Sequence, residues 1–301
     1  SLPGKGFVIS NSRKGLKVGV LNLMGNVFMK KCDDLFIALK IFLENNKLKK
    51  HYDCLVVDIH GEIQYINVAS TGNSIDFGAN LTQDRRRLAG MASATRGVFS
   101  GGAQPSASNQ QDFVTFASTG TCTAWGDTAN LSGTSDGMGF SNSTRGIVKA
   151  GYVAPSGATS TMDYITIASA GNTQDFGDLN KHGDAGGVAG NSVRALMAGG
   201  LVQPGLVRTA EISYVTIHTL GDNVVFGELS NPRWSLTACA NRTRTVWGGG
   251  GTPTKQSDIE YGIISSLGNN VNFGDLTVNM STCSTAGSAT RGVWAGGYRD
   301  P

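Results

Sequence analysis

Three landmarks recur five times along this chain in one order, and that recurrence restricts the fold more than any other feature. An aromatic residue heads an alternating segment at Tyr65, Phe113, Tyr164, Tyr214 and Tyr261. A second aromatic is followed at once by glycine at Phe77-Gly78, Trp125-Gly126, Phe176-Gly177, Phe226-Gly227 and Phe273-Gly274. An arginine precedes a short apolar stretch at Arg96, Arg145, Arg194, Arg244 and Arg291. The period is about fifty residues, so the chain is an array of homologous units. In the third unit, residues 164–168 (YITIA) alternate as a half-buried strand does, and 174–177 make a second short segment. Small residues fill 186–190, and the apolar stretch 194–198 ends at Gly199-Gly200. Four strand-length segments at this period predict the blades of a β-propeller. The 42 glycines among 301 residues suit a fold with many tight turns.

Counted from the small-residue strand, each unit runs through the third, fourth, first and second strands of a blade. Residues 63–80 are then a third and fourth strand, and 282–297 a first and second. These two half-blades are predicted to close the ring, removing free sheet edges. The expected fold is therefore mainly β: a five-bladed propeller over residues 63–301, preceded by a small βαβ segment over 1–62. That first segment has a net charge of +4 against −1 for the rest. Residues 16–23 and 54–59 read as apolar strands, and Asp33-Asp34 opens an amphipathic helical run to Leu43. Strand, helix and strand in this order predict a parallel pair joined by a right-handed crossover.

In an up-and-down blade, loops after strands two and four share one face. Those loops differ widely in sequence, whereas the turns after strand three (STGNS, SAGNT, SLGNN) and before strand two (SATRG, NSTRG) nearly repeat. Loops that vary on a rigid scaffold are where recognition is built. The candidate binding residues on that face are Arg85, Arg86, Arg87, Tyr152, Lys181, His182, Trp234 and Tyr298. The five repeated arginines are expected to be structural, with forks that bond carbonyls or the acids after the aromatic-Gly pair (Asp127, Asp178, Glu228, Asp275). The repeated aromatics Phe77, Trp125, Phe176, Phe226 and Phe273 are likewise read as structural. Asn73, Asn172, Asp222 and Asn269 sit in Gly-Asn or Gly-Asp turns that need no metal.

No catalytic, metal or cofactor site is read from the residues. Charged residues are sparse at 16 % and the net charge is only +3, so bulk electrostatics do not imply nucleic acid. No apolar run reaches the roughly eighteen residues of a membrane span. Five scattered cysteines without a CxxC pair read as free thiols. One GxSxG match, Gly133 to Gly137, lies in a polar loop without the strand and helix of a nucleophile elbow.

Two resemblances follow from longer stretches. SLPGKGFVI, KVGVLNLMGNVFM and LVVDIHGE, within residues 2–62, resemble a bacterial calcineurin-like metallophosphoesterase family that hydrolyses cyclic nucleotides. The family's Asp-x-His-x-Glu metal motif would place a ligand at His60, but its Gly-Asp, Gly-Asn-His and Gly-Thr-His-x-His motifs are absent. A dinuclear centre needs several converging ligands, so this segment is expected to be a non-catalytic adaptor. From residue 63 on, the apolar strand ending in Gly-Gly and the paired aromatics resemble kelch and galactose-oxidase-type blades. DYITIASAGNTQDFGDL and ATRGVWAGGY also resemble kelch-like repeats in structural proteins of tailed bacteriophages. That resemblance implies a non-enzymatic virion appendage, a tail fibre or decoration protein, located in the phage particle. Its implied partners are other virion subunits and a host-surface glycan or protein, with self-association of the chain. The alternative is a cytoplasmic, cellular interaction propeller of kelch type.

Overall fold

A computed structural model describes residues 7–11, 17–23, 54–59, 62–65, 75–103, 106–118, 120, 122–129, 134–135, 137–149, 151–153 and 157–299. The chain divides into two compact units, Ser1–Asp84 with Ser118–Cys122, and Arg85–Ala117 with Thr123–Pro301.

In the first unit, Phe7–Asn11 pairs antiparallel with Lys17–Leu23, which pairs parallel with Cys54–Ile59 from Val18↔Cys54 to Leu23↔Ile59. The two expected strands are thus present and parallel. The expected helix from Asp33 to Leu43, and His60, lie outside the described residues. A two-stranded sheet, Glu62–Tyr65 with Ile75–Asn80, follows. It carries Phe77, whose carbonyl accepts a hydrogen bond from Gly120 N–H at 2.9 Å.

The second unit is a propeller-like arrangement of four complete blades. Blade one consists of Ala89–Ala92, Arg96–Ser100, Gln110–Thr115 and Thr123–Asp127. Blade two consists of Met138–Ser141, Arg145–Lys149, Thr161–Thr166 and Gln174–Asp178. Blade three consists of Gly187–Gly190, Arg194–Ala198, Glu211–Thr216 and Val224–Glu228. Blade four consists of Thr237–Ala240, Arg244–Gly248, Thr254–Ile263 and Val271–Ser281. All pairings within a blade are antiparallel, in the order first to fourth. A further two-stranded sheet, Ser284–Gly287 with Gly292–Ala295, has the character of a first and second strand. Among the described residues four blades are complete; the segments expected to close a fifth form a two-stranded sheet in each unit, and a five-blade count is not shown. In blades one to three the third strand begins three residues before its aromatic and carries a bulge there, at Met162/Asp163 in blade two; in blade four it begins earlier, at Thr254.

The core lies between blades. One cluster joins Met91 and Trp125 of blade one to Val148, Ile165 and Ile167 at blade two. A second joins Ile147, Met162 and Phe176 to Ala195, Met197, Val215 and Ile217. A third joins Leu196, Ile212 and Phe226 to Leu236, Trp247 and Ile264. Each fully buried side chain of this size contributes about 1.5–3 kcal/mol, so every joint is a small core in its own right.

The repeated landmarks are the parts of that joint. The guanidinium of Arg145 lies over the ring of Tyr164 at 4.5 Å and donates to the carbonyl of Ile217 in the next blade at 2.7 Å. Arg96 does the same over Phe113 and Trp125 and onto Ile167 and Ala168, and Arg194 over Tyr214 and onto Ile264. Of the two partners expected for these arginines, the carbonyl is the one these three bond. The acids are served differently: the side chains of Asn172, Asp222 and Asn269 accept from the backbone N–H of Asp127, Asp178 and Glu228 in the preceding blade. The turn glycine beside each one, Gly171, Gly221 or Gly268, donates its N–H to the carbonyl of Trp125, Phe176 or Phe226. This close approach accounts for the glycine after each aromatic. A Cβ on Gly126 or Gly177 would stand 2.6 or 2.5 Å from a backbone atom of the next blade's turn.

Candidate functional site

The variable loops share a backbone that their sequences conceal. After the second strands of blades one, three and four comes a glycine pair in nearly the same left-handed conformation, with φ of 66° and 96° at Gly101-Gly102, 66° and 102° at Gly199-Gly200, and 67° and 98° at Gly249-Gly250; blade two has Ala150-Gly151 there. Only glycine adopts such a pair at no cost. The loop then folds into a small hairpin that pairs with the segment entering the blade. Leu201–Val202 lies between Gly183–Asp184 and Val207–Arg208. Tyr152–Val153 lies between Thr134–Ser135 and Gly157–Ala158. Isolated bridges Arg86↔Ala103 and Trp234↔Gly251 repeat the arrangement at blades one and four. The face is thus a row of short side pairings, similar in path and different in side chains.

Beneath two of these sheets sits a buried ion pair. The side chain of Arg85 is fully buried; it bonds the carbonyls of Gly101 and Gln110 and the carboxylate of Asp112. Arg233 repeats this in blade four, on the carbonyls of Gly249 and Asp258 at 3.2 and 3.1 Å and on Glu260 at 2.5 Å. Glu260 also accepts from Ser230 N–H and Oγ at 3.0 and 2.7 Å. In blade three the matching positions are Gly183 and Ser213. A crevice of about 50 Å³ opens there, and Lys149 reaches in from blade two to donate to the Gly183 carbonyl.

These facts sort the sequence candidates. Arg85 presents no surface to a ligand, and its place among the binding residues is corrected to a structural one: its charge is consumed by Asp112. Arg86 and Arg87 are exposed, Arg87 in a left-handed conformation that recurs at Ala185, Ser235 and Thr282. Tyr152 is exposed on the middle strand of its side sheet, and His182 is exposed beside Lys181. Lys181 is held by the carboxylate of Glu211. Trp234 is half-buried, with its backbone paired to Gly251 in both directions. Tyr298 is 70 % exposed on a short strand beside Met280–Ser281. Sequence reasoning missed the hairpin tip Leu206 and Val207, both exposed; the Gln-Pro-Gly turn that carries them was the available signal.

The arrangement offers guanidinium, imidazole and aromatic surface at loop tips, suited to hydrogen bonding and stacking. Among the described residues, no three His, Cys, Asp or Glu side chains converge to hold a metal ion. Burial raises the pKa of the Cys239 thiol and so disfavours the thiolate that nucleophilic chemistry needs. At the N-terminal motif, Asp58 is the penultimate residue of a strand and His60 lies outside the described residues; one such motif does not fit a dinuclear metal centre.

Comparison with known proteins agrees with both parts of this description. A family model described as "YmdB-like protein", of calcineurin-like phosphoesterases, matches residues 1–69. A solved structure titled "Structure of YjhT" superposes with a TM-score of 0.62 over 75 % of this chain and 81 % of that one, at 11 % identity. No curated protein matches the chain. The family match covers less than a quarter of the sequence, and the structural likeness is one of fold alone.

Proposed function

We propose that the chain is a non-enzymatic structural protein of a tailed-phage virion, a tail-fibre or decoration type of appendage. Its kelch-like propeller presents the variable loop face to a host-surface glycan. In this reading the two two-stranded sheets are complementary halves of a fifth blade, and the N-terminal segment is an adaptor. The observation that carries the proposal is the contrast between a shared loop backbone and unshared loop side chains. A path held by glycine pairs in three of the four blades, with side chains such as Arg86, Tyr152 and His182 peculiar to single blades, is a scaffold for display. Aromatic and guanidinium groups at the tips suit sugars, whose rings stack while their hydroxyls accept and donate hydrogen bonds. Leu206 and Val207 favour a second reading at one loop, because two exposed apolar side chains on a tip suit a protein partner better than a glycan.

The test is binding of the labelled full chain to intact bacteria and a polysaccharide panel, beside a variant with Arg86→Ala, Tyr152→Ala and Trp234→Ala. Saturable binding that falls at least tenfold in the variant is expected. Absence of binding to every surface, or binding unchanged by the variant, contradicts the proposal.

A further inference from the structure

We propose that the joint between blades one and two encloses a binding site for ordered water, held by Ser100, Gln111 and Trp125. The site emerges when one place is compared across three joints. Strand pairing sets Ser100 opposite Gln111, Lys149 opposite Met162 and Ala198 opposite Ile212, so these are equivalent positions at the loop end of blades one, two and three. After the fourth strand, Thr128, Leu179 and Leu229 are equivalent, because each donates its backbone N–H to the carbonyl just before the third strand. From the following blade, Gly137, Gly186 and Leu236 each stand immediately before the first strand.

Two of the joints fill this place. Between blades three and four, Ala198, Ile212, Leu229 and Leu236 belong to one apolar cluster. Between blades two and three, Met162 and Leu179 are apolar, and where Gly186 brings no side chain, Lys149 crosses to the carbonyl of Gly183. Between blades one and two all four positions differ from the dry joint: Ser100, Gln111, Thr128 and Gly137 supply two hydroxyls, an amide and one residue without a side chain. Here neither a leucine nor a lysine comes from these positions. Among the described residues, a Cβ on Gly137 would meet only the Lys149 carbonyl oxygen at 3.1 Å and the Ala89 Cβ at 3.9 Å. Trp125 stands where the other joints have Phe176 and Phe226, and so adds an indole N–H.

These polar groups are concealed. Ser100, Gln111 and Trp125 are 1 %, 0 % and 4 % exposed. Ser100 Oγ, both amide atoms of Gln111 and Trp125 Nε1 have no hydrogen-bond partner within the protein. Each such atom costs desolvation without return unless a ligand supplies the bond. The groups define that ligand. None of the three side chains is charged, so it is neutral. The amide and the hydroxyl each donate and accept while the indole only donates, so it does both. Water has this chemistry, and a buried water makes about three hydrogen bonds, which this set provides. Blades one and two are thus bridged by solvent at the root of the variable loops, where blades three and four meet dry.

The experiment is water-selective NMR on the full chain, with water itself as the probe, reading cross-relaxation to the indole N–H protons. Trp247 is the internal control: its Nε1 is also buried without a partner, but it sits in the apolar cluster between blades three and four. The expected result is a cross-peak of long-lived water at Trp125 and none at Trp247. Gln111→Met, the residue of blade two, is expected to remove the peak, and Ser100→Ala to retain it, since the Gln111 amide still holds the water. Four results overturn the proposal: no peak at Trp125, an equal peak at Trp247, a peak that survives Gln111→Met, or a peak abolished by Ser100→Ala, which marks hydroxyl exchange. A crystal structure of the unmodified chain decides without any variant. A water within about 3.2 Å of both the Gln111 amide and Trp125 Nε1 is expected, and its absence overturns the proposal.

Discussion

The joints between blades and the loops on the variable face are both repeated structures, but they repeat at different levels. At the joints the residues themselves recur: arginine over an aromatic ring, Asn or Asp from the next turn onto a backbone N–H, glycine where two backbones touch. On the loop face only the path recurs, set by glycine pairs and side sheets, while the side chains at the tips differ. The joints bury the side chains that stabilise the fold, so a change there is expected to be felt in stability. The loop tips bury little, so a change there is expected to be felt in binding alone.

The largest effect is expected where the loop face is rooted in the blade. Arg233→Ala leaves Glu260 buried without its cation, which costs about 3–5 kcal/mol. Denaturant unfolding monitored by tryptophan fluorescence should show that loss. A loss below about 1 kcal/mol would mean that this pair belongs with the tips and not with the joints. Next is Gly177→Ala, which combines a φ of +139° with a collision against the Gly221 carbonyl group. A loss of roughly 2–4 kcal/mol is expected in the same measurement. The smallest expected change is a gain. Gln111 is fully buried, neither atom of its amide has a partner, and it occupies the position held by Met162, Ile212 and Ile259 in the other blades. Gln111→Met should raise stability by about 1–2 kcal/mol, because an unsatisfied amide is replaced by the residue its sister blade uses.

Much of the joint was legible in the sequence, because its chemistry is local to each repeat. The five arginines, the aromatic-Gly pairs and the Gly-Asn turns could each be read as structural from recurrence alone. The arginine forks were expected to bond carbonyls or acids, but which carbonyl each reaches and its stacking on the aromatic ring were not read, since these contacts join residues some twenty apart within a blade or about seventy apart across two. Arg85 was misplaced for a related reason. In a run of three arginines, only the strand register determines that the first points inward while Arg86 and Arg87 stay exposed. A usable signal lay within the chain: arginine at 85 and 233 goes with an acid at 112 and 260, and glycine at 183 with serine at 213. The loop hairpins were hidden because their backbone hydrogen bonds place almost no demand on side-chain identity.

The division between joints and loops is tested most directly by residue-resolved amide hydrogen exchange. The N–H groups of Gly171, Gly221 and Gly268, each bonded across a joint to an aromatic carbonyl, are predicted to exchange only with global unfolding. Those of Gly205 and Leu206 at a loop tip are predicted to exchange orders of magnitude faster. Joint amides that exchange as fast as the tips would contradict the account, because the repeated residues would then not be what holds the blades together.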